Sequence, residues 1–579
     1  MEQRWGLPLI AWPSRLRPNY WDLVALPLVL GLLALIAWGG MAMGTHYQLG
    51  EKLPPISLDP WRLPEYALRT VLRMGAALVA SLIFSLGYAT LAAKNRQAEK
   101  ILIPVLDILQ SVPILGFLSI TVTGFIALFP GRLLGVECAA IFAIFTSQAW
   151  NMTFSLYQSL RTVPVELIEA ARMYHLSAWQ RFWRLEVPHG VPALVWNMMM
   201  SVSGGWFFVV ASEAITVSGQ SILLPGIGSY IATAIAQRDL GAIGYAVLVM
   251  LVVILLYDQL LFRPLLAWSR KFRGDPGADE DDVRPWFLIV MQRARLFDLL
   301  QSSVLAINRA IDHAIAALIR DWAPERAAGP RSPLVVRLFD LALLAMAAAA
   351  LVWLIAFVRE TVLLSEIGWV VVLGAITALR VLILIALASL IWVPIGVWIG
   401  LRPRVADRAQ PIVQFLAAFP ANLFFPAAVV LILHFRLDPE IWLSPLMILG
   451  TQWYILFNVI AGTTALPAEL RLAASNLGVR RWLWWRRVML PAIFPAYVTG
   501  AVTASGGSWN ASIVSEVVQW GDTTLRATGI GAYIAEYTAV GDPARIALGI
   551  GVLCLYVLAF NRLLWHRLYE LAAERLRLD

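Results

Sequence analysis

Long apolar stretches separated by short polar loops run through most of this chain. Each stretch approaches the roughly 20 residues that an α-helix needs to cross a bilayer, and the stretches carry few charges. The pattern predicts twelve membrane-spanning helices. We expect them near 22–43, 66–92, 102–129, 133–160, 191–217, 241–267, 336–358, 367–400, 411–434, 441–463, 492–517 and 544–565.

The second half of the chain repeats the first at a constant offset of 303 residues. This offset aligns Pro164 with Pro467 and Pro192 with Pro495, and it continues without a gap through the next predicted span. An even number of spans in each half makes the repeats parallel, related by an axis along the membrane normal. The sequence therefore predicts an all-α polytopic membrane protein with two like-oriented halves of about six helices each.

Composition excludes a soluble globular protein. The 579 residues are 60% apolar and 14% charged, whereas soluble domains average about 45–50% and 25%. The net charge of +8 does not indicate nucleic acid, because the arginines cluster in loops on one predicted side. The positive-inside rule places those loops and both termini in the cytoplasm. Cys138 and Cys554 lie inside apolar spans, so neither a disulfide framework nor a thiol metal site is indicated.

A polar linker separates the halves. Residues 274–285 are acidic and predicted to be disordered. Residues 286–322 carry an apolar stripe at helical spacing, which favours a helix in the cytoplasmic membrane interface; a tether packed on the protein's own loops fits equally well. The predicted segments are 1–62 with the first span, 63–268 as the first transmembrane domain, 269–335 as the linker, 336–373 with an extra span, 374–570 as the second transmembrane domain, and 571–579 as a tail.

A short polar helix is predicted in each half, within the repeated segments 164–192 and 467–495. Proline suits the first turn of a helix, and the acidic Glu166 and Glu169 favour its positive N-terminal end. One such helix alone is most simply a connector on the membrane surface. Two copies on the predicted cytoplasmic side favour a pair of docking points for a symmetric partner.

These segments resemble the Glu-Ala-Ala loop of permease subunits from binding-protein-dependent ABC importers. That pattern is Glu-Ala-Ala, three residues, Gly, nine residues, Ile-x-Leu-Pro. The first copy reads Glu169-Ala170-Ala171, with His175 in the glycine place; the second has Leu472 in the glutamate place, then Ala473-Ala474 and Gly478. Residues 203–216 and 505–518 are most similar to the nitrate, sulfonate and taurine branch, which includes bicarbonate permeases. The resemblance covers about 63–268 and 374–568.

The resemblance implies a type I ABC importer permease fold in a bacterial inner membrane. It makes the repeated helix a coupling helix, seated in a groove of an ATP-binding subunit. The implied partners are two copies of that subunit, which would bind ATP and magnesium, a periplasmic or lipid-anchored solute-binding protein, and membrane lipid. The implied coupling residues are Glu166, Glu169, Ala170, Ala171, His175, Glu469, Ala473, Ala474 and Gly478.

The chain carries no ATPase motif of its own. Its lysines, Lys52, Lys94, Lys100 and Lys271, do not follow a glycine, so a Gly-Lys-Ser/Thr phosphate-binding loop is absent from the sequence. No catalytic constellation is evident, and the histidines lack metal-ligand spacing. We therefore expect a transport permease rather than an enzyme, with neither cofactor nor metal of its own and no nucleic-acid partner.

Charged side chains inside the predicted spans suggest a gate. Because an ionised group facing lipid costs about 2.5–3.5 kcal/mol, Glu213 and Glu516 should face the bundle interior near its outer end; a place among lipid headgroups is the alternative. Arg69 and Arg380 occupy equivalent places at the outer ends of their spans, and we predict that they pair with these glutamates. The predicted gate and translocation pathway also include Trp206, Ser212, Trp509, Asn510 and Ser515.

The leading interpretation is a fused permease that supplies both membrane halves of an ATP-driven importer. A secondary transporter driven by an ion gradient is one alternative, although it would not need two matched docking helices. A membrane scaffold or exporter component is another. The family branch suggests a small anion or a sulfonate-like organic molecule as the solute, which arginines near the gate could serve.

Overall fold

The computed structural model describes most of the chain. The described residues are 21–43, 54–111, 114–217, 220–272, 286–294 and 355–575, with single residues and pairs between 341 and 353. The predicted acidic linker, most of the predicted interfacial helix and much of the predicted span 336–358 lie outside these ranges. Of the interfacial helix, the structure describes its first turns, Trp286–Arg293.

Chain contacts divide the molecule into two compact units. The first comprises Met1–Ala42, Gln158–Trp196 and Leu256–Phe339. The second comprises Met43–Tyr157, Asn197–Leu255 and Asp340–Asp579. The second unit contains residues of both sequence repeats, including the carboxylates and arginines predicted to form a gate.

Helices form where the apolar periodicity predicts them in the first repeat. Leu, Ala and Met dominate these segments, and such residues lose little side-chain freedom in a helix. The helices are α1 (Asp22–Met43), α2 (Leu63–Lys94), α3 (Arg96–Ser111), α4 (Ile114–Leu128), α5 (Leu134–Arg161), α6 (Val165–Met173), α7 (Val187–Glu213), α8 (Ile227–Ala236), α9 (Leu240–Tyr257) and α10 (Arg263–Ser269), followed by α11 (Trp286–Arg293).

The second repeat has a matching series of helices. They are α12 (Leu364–Gly400), α13 (Pro403–Ala418), α14 (Phe425–His434), α15 (Gln452–Thr464), α16 (Ala468–Asn476), α17 (Leu490–Ser515), α18 (Ile530–Val540), α19 (Pro543–Phe560) and α20 (His566–Arg575). Within the described part of the chain, seven helices are long and apolar enough to cross a membrane, or nine if each of two bent pairs counts as one span.

Two predicted spans of the second repeat are bent rather than straight. The axes of Pro403–Ala418 and Ala421–His434 differ by 76°. The break falls at Phe419, whose backbone is extended (φ −73°, ψ 128°), because the residue before a proline avoids the helical region and Pro420 has no N–H to donate. The segments Pro439–Met447 and Gln452–Thr464 differ by 44°.

Wide turns of the π type recur at the same offset in both repeats. Phe182–Glu186 precedes α7 and Trp485–Met489 precedes α17. Each is followed by a proline, Pro188 or Pro491, whose ring excludes the regular α-helical contact with the preceding turn. A second pair, Asp258–Phe262 and Asn561–Trp565, follows α9 and α19. The duplication therefore extends to the irregularities of the helices.

A short β-hairpin follows α7 in the first repeat and α17 in the second, at the end of a predicted span. β1 (Ala214–Val217) pairs antiparallel with β2 (Gln220–Leu223), and β3 (Val517–Trp520) pairs with β4 (Thr523–Arg526). Both hairpins are rich in β-branched residues, which favour strands. We call the end of the helix bundle where they lie the hairpin end; α16 precedes α17 at the opposite end of that helix.

Small residues bring the helices of the second unit close together. α17 packs against α12, α15 and α18, and a Cβ at Gly500 would lie 2.7 Å from the carbonyl oxygen of Tyr454. A Cβ at Gly507 would lie 2.3 Å from the Thr451 side chain. Glycine permits this approach, as in many membrane helix pairs. Gly506 has open space instead.

Candidate functional site

A buried arginine bridges two carboxylates in the first repeat. Arg73, on α2, donates from Nε and Nη2 to Glu137 at 2.6 and 2.7 Å, and from Nη1 to Glu213 at 2.7 Å. The side chains are 2%, 5% and 0% exposed, in that order. The two hydrogen bonds to Glu137 form a bidentate pair, which suits the planar guanidinium group. We call Arg73, Glu137 and Glu213 the first ion triad.

The N-terminus of α8 cradles the Glu213 carboxylate. Gly228 N donates to Glu213 Oε2 at 2.7 Å, and Thr70 Oγ1 donates to Oε1 at 2.7 Å. The free amides at a helix N-terminus favour negative charge. A Cβ at Gly226 would lie 2.2 Å from the carboxyl carbon of Glu213, so glycine is needed for the cradle to close around it.

The second repeat builds the same arrangement. Arg380 on α12 pairs with Glu440 and lies 3.4 Å from Glu516. Thr377 Oγ1 donates to Glu516 at 2.8 Å, and the N-terminus of α18 donates through Ala532 N at 3.0 Å. We call Arg380, Glu440 and Glu516 the second ion triad. Its existence in duplicate shows that the arrangement belongs to the repeat unit.

The second ion triad is more exposed than the first. The Arg380 and Glu440 side chains are 13% and 44% exposed, against 2% and 5% for Arg73 and Glu137. A cavity of about 510 Å³ opens beside Glu440. Its lining includes Glu366, Trp369, Arg526, Tyr533, Glu536 and Tyr537.

Equivalent tyrosines next to the two triads have different partners. The Tyr230 hydroxyl donates to the Leu58 carbonyl at 2.9 Å, whereas the Tyr533 hydroxyl donates to Glu366 at 2.9 Å. Glu366 also pairs with Arg545 at 2.7 Å. Burial raises the pKa of the neighbouring Asp542 carboxyl, but hydrogen bonds from Arg545 and backbone amides outweigh it and leave the pKa below its usual range.

The predicted equivalence of Arg69 with Arg380 is wrong by one helical turn. Arg73 occupies the place of Arg380, since each follows by three residues the threonine, Thr70 or Thr377, that binds the buried glutamate. Arg69 forms an ion pair with Glu65 at 3.2 Å. Arginines four residues apart share one helix face, so the sequence pattern alone could not choose between them.

Sequence reasoning missed the third member of each triad. Glu137 and Glu440 are separated by the same 303 residues that relate Pro164 to Pro467, so the alignment offset could have found them. The remaining predicted pathway residues lie on α7 and α17. The side chains of Trp206, Trp509, Ser212 and Ser515 are buried.

Asn510 joins the two repeats. Its Oδ1 accepts from the backbone N–H of Ile114 at 2.9 Å, at the start of α4, and its Nδ2 donates to the Gly506 carbonyl at 3.1 Å. It also lines a cavity of about 90 Å³, together with Phe207 and residues from both repeats such as Gly204 and Gly507. Asn510 and Phe207 are equivalent positions, so the cavity walls are asymmetric here.

The predicted loop helices are present as α6 and α16. Each begins after a proline with extended backbone, Pro164 or Pro467. Glu166, Glu169 and Glu469 are exposed, whereas Ala171 and Ala474 are buried at 6% and 5% exposure and pack inward. Ala170 is half-buried and Ala473 exposed. Large apolar side chains are exposed around these helices, namely Val165, Leu167, Met173 and Tyr174 in the first copy and Leu472 and Leu477 in the second.

Both loop helices end in a left-handed residue. His175 has φ 53° and Gly478 has φ 65°. The following amides close the helix, since Leu176 N donates to the Ala171 carbonyl at 3.0 Å and Val479 N to that of Ala474 at 2.9 Å. Glycine adopts this conformation without a steric cost, while other residues are strained by about 1–2 kcal/mol.

Exchanging the residues at these two helix ends should change local stability in opposite directions. We expect His175→Gly to raise the free energy of the opening that exposes the Leu176 amide to hydrogen exchange by about 1 kcal/mol, because the strain is removed. Gly478→Ala should weaken protection at Val479 by a similar amount. Hydrogen exchange measured by mass spectrometry on the detergent-solubilised protein checks both. Equal protection in all variants would contradict the strain argument.

Family comparison agrees with this architecture. Residues 64–262 and 392–570 each match the family described as the binding-protein-dependent transport system inner membrane component. The chain belongs to this family. The predicted fusion of two permease domains and the all-α polytopic fold are thereby confirmed, and this inner membrane component is a multi-pass membrane protein.

Several transport permeases are similar in sequence to this inner membrane component. It is 28% identical over 149 residues to the bicarbonate transport system permease protein CmpB of Synechococcus elongatus, covering 26% of this chain and 50% of the relative. It is 23% identical over 264 residues to the nitrate import permease protein NrtB of Synechocystis, covering 44% and 90%. The glycine betaine/carnitine transport permease protein GbuB of Listeria monocytogenes is 27% identical over 205 residues, covering 35% and 66%. The chain spans about half the length of the first of these relatives.

Proposed function

We propose that this chain is the permease of an ATP-driven ABC importer, with both membrane halves fused in one polypeptide. The observation that carries the proposal is the duplication of the family domain, with one exposed loop helix per copy that ends in the same left-handed turn. Two equivalent docking helices fit a partner that is itself twofold symmetric.

Under this proposal, ATP hydrolysis by partner subunits drives transport. The chain has no glycine-lysine phosphate-binding loop, so two ATP-binding subunits would bind ATP and magnesium, one at each loop helix. The exposed apolar side chains of α6 and α16 would be buried in that contact, and buried apolar anchors dominate protein interfaces. A solute-binding protein would deliver cargo at the hairpin end, which is then the outer side. Both termini would be cytoplasmic, in a bacterial inner membrane.

The two ends of α17 suggest how force reaches the pathway. The 26 residues of α17 span about 39 Å at about 1.5 Å per residue, with α16 before one end and the second ion triad at the other. ATP-driven movement of the loop helices would rock the halves and change access to the cavity between the repeats. The ion triads would keep each hairpin fixed to its own half during that motion.

We propose a small anion or sulfonate-like molecule as the solute, selected mainly by the binding protein. Arg73 and Arg380 are each engaged by two carboxylates, so neither offers an uncompensated positive charge to an anion. The names of the relatives, which include bicarbonate, nitrate and glycine betaine transport, fit a permease core that tolerates different small solutes.

Disrupting the exposed face of the second loop helix should uncouple the permease from its ATPase. We expect Leu472→Asp with Leu477→Asp to weaken ATPase binding at least tenfold, because both side chains, 64% and 80% exposed, would lose burial in the interface. The measurements are co-purification with a co-expressed ABC ATP-binding subunit and ATP-dependent uptake in proteoliposomes.

Val540→Asp is the matched control, since Val540 is 68% exposed at the hairpin end, away from the proposed ATPase. It should bind the ATPase as the wild type does. If the wild-type chain binds no ATPase, or takes up solute with an ion gradient and without ATP, the importer proposal is wrong.

A further inference from the structure

A contact at the hairpin end joins the two repeats. Gly521, in the turn between β3 and β4, donates its N–H to the Ile235 carbonyl at 3.0 Å. Asp522 in the same turn pairs with Arg238 at 3.1 Å. Ile235 lies in α8 and Arg238 follows it, so a hairpin of the second repeat is attached to a helix end of the first.

The turn fits closely around the arginine. A Cβ at Gly521 would lie 2.0 Å from Arg238 Nε and 2.8 Å from its Cγ. Any residue other than glycine at 521 would displace the Arg238 side chain. The backbone of Gly521 is left-handed, with φ 58°, which also favours glycine. The close contact therefore depends on both the glycine at 521 and the arginine at 238.

Arg238 itself has an unfavourable backbone conformation. Its φ is 58°, and the equivalent residue of the second repeat is Gly541, with φ 80°. The first repeat thus places an arginine where its copy has the residue that adopts this conformation freely. Backbone strain at a residue other than glycine often accompanies a functional role of its side chain. The side chain here makes the ion pair with Asp522.

Each hairpin is held firmly at its base. Leu224 N donates to the Glu213 carbonyl at 2.9 Å, and Ala527 N to the Glu516 carbonyl at 2.8 Å. The glutamate side chains belong to the two ion triads. β1 also lies beside α18, and β3 beside α8. Each hairpin therefore extends from an anchored base in its own repeat to a helix of the other repeat.

We propose that Arg238, Gly521 and Asp522 form a clasp that closes the outer side of the solute pathway and must open in each transport cycle. This inference rests on the proposed importer function. The ion pair is exposed, at 50% for Arg238 and 101% for Asp522, and exposed pairs are weak. The clasp can therefore be broken and remade repeatedly, whereas the ion triads at the bases of the hairpins stay intact.

Reversible cross-linking tests the clasp in the full permease with its ATPase and binding protein. Arg238→Cys and Asp522→Cys are introduced after Cys138 and Cys554 are replaced by serine. A short reducible bis-thiosulfonate then joins the two positions. We expect uptake to fall at least tenfold in the cross-linked protein and to return on reduction, while binding of the ATPase is unchanged.

The matched control joins Asp258→Cys to Arg263→Cys, an ion pair within the first repeat. Cross-linking there should leave uptake unchanged. If a fully cross-linked 238–522 protein transports at the rate of its reduced form, the clasp proposal is overturned and the importer proposal stands. If the cysteine-free permease shows no ATP-dependent uptake before any cross-linking, the proposed function itself fails, and the clasp fails with it.

Discussion

Arg73→Met should prevent accumulation of a folded permease, while Arg69→Met on the same helix face should have little effect. Removing Arg73 leaves Glu137 and Glu213, 5% and 0% exposed, without their shared cation. Breaking a buried ion pair from one side costs about 3–5 kcal/mol. The pair of Arg69 with the half-exposed Glu65 is nearer the surface, where such pairs contribute about 0–1 kcal/mol.

The yield of monodisperse protein in detergent size-exclusion chromatography measures this difference. Adding Glu137→Gln and Glu213→Gln to Arg73→Met should restore part of the yield, since the uncompensated charges are removed. Arg380→Met should be milder than Arg73→Met, because the Glu440 side chain is 44% exposed. Equal yields for Arg69→Met and Arg73→Met would contradict the assignment of Arg73 to the first ion triad.

Gly226→Ala should strongly destabilise the hairpin end. Its Cβ would lie 2.2 Å from the carboxyl carbon of Glu213, and Gly529→Ala would place one 2.2 Å from Glu516 Oε1. The carboxylates cannot retreat without losing Arg73 or Arg380. Overpacking of a core costs about 1–3 kcal/mol, and sometimes more, so we expect the midpoint of unfolding in detergent–SDS mixtures to fall clearly in both variants.

Gly506→Ala is the control for that prediction. It lies within α17 with nothing inside 4 Å of its Cβ position, and alanine in a helix is favoured over glycine by about 0.5–1 kcal/mol. Its midpoint should stay level or rise. A Gly226→Ala protein as stable as Gly506→Ala would mean that the α8 cradle does not enclose Glu213 as described.

The sequence predicted the duplication and the loop helices correctly in position because both are carried by residues that repeat at one offset. Pro164 and Pro467 begin these helices, and the prolines after the π turns repeat as well. The sequence pattern did not decide which arginine of the first repeat corresponds to Arg380. Arg69 and Arg73 share a helix face, and only the contact of Thr70 with Glu213 identifies the correct one.

The hairpins and the bent spans could not be predicted from apolar content alone. Residues 214–217 continue the apolar character of α7, so hydropathy gives no sign that the helix ends at Glu213. What ends it is tertiary, because Glu213 turns its carboxylate to the N-terminus of α8. Likewise the apolar content of the predicted span 411–434 gives no sign of the 76° bend within it, which Pro420 causes by breaking the helix.

Fusion of the halves has a consequence for how this permease can evolve. In a transporter assembled from two identical subunits, every substitution appears twice, so neither copy can change alone. Here Arg380 is 13% exposed and Arg73 is 2% exposed, so the two copies of the ion triad differ in burial. Selection for altered cargo or altered gating could therefore act on a single copy, and suppressor mutations should accumulate in the more exposed copy.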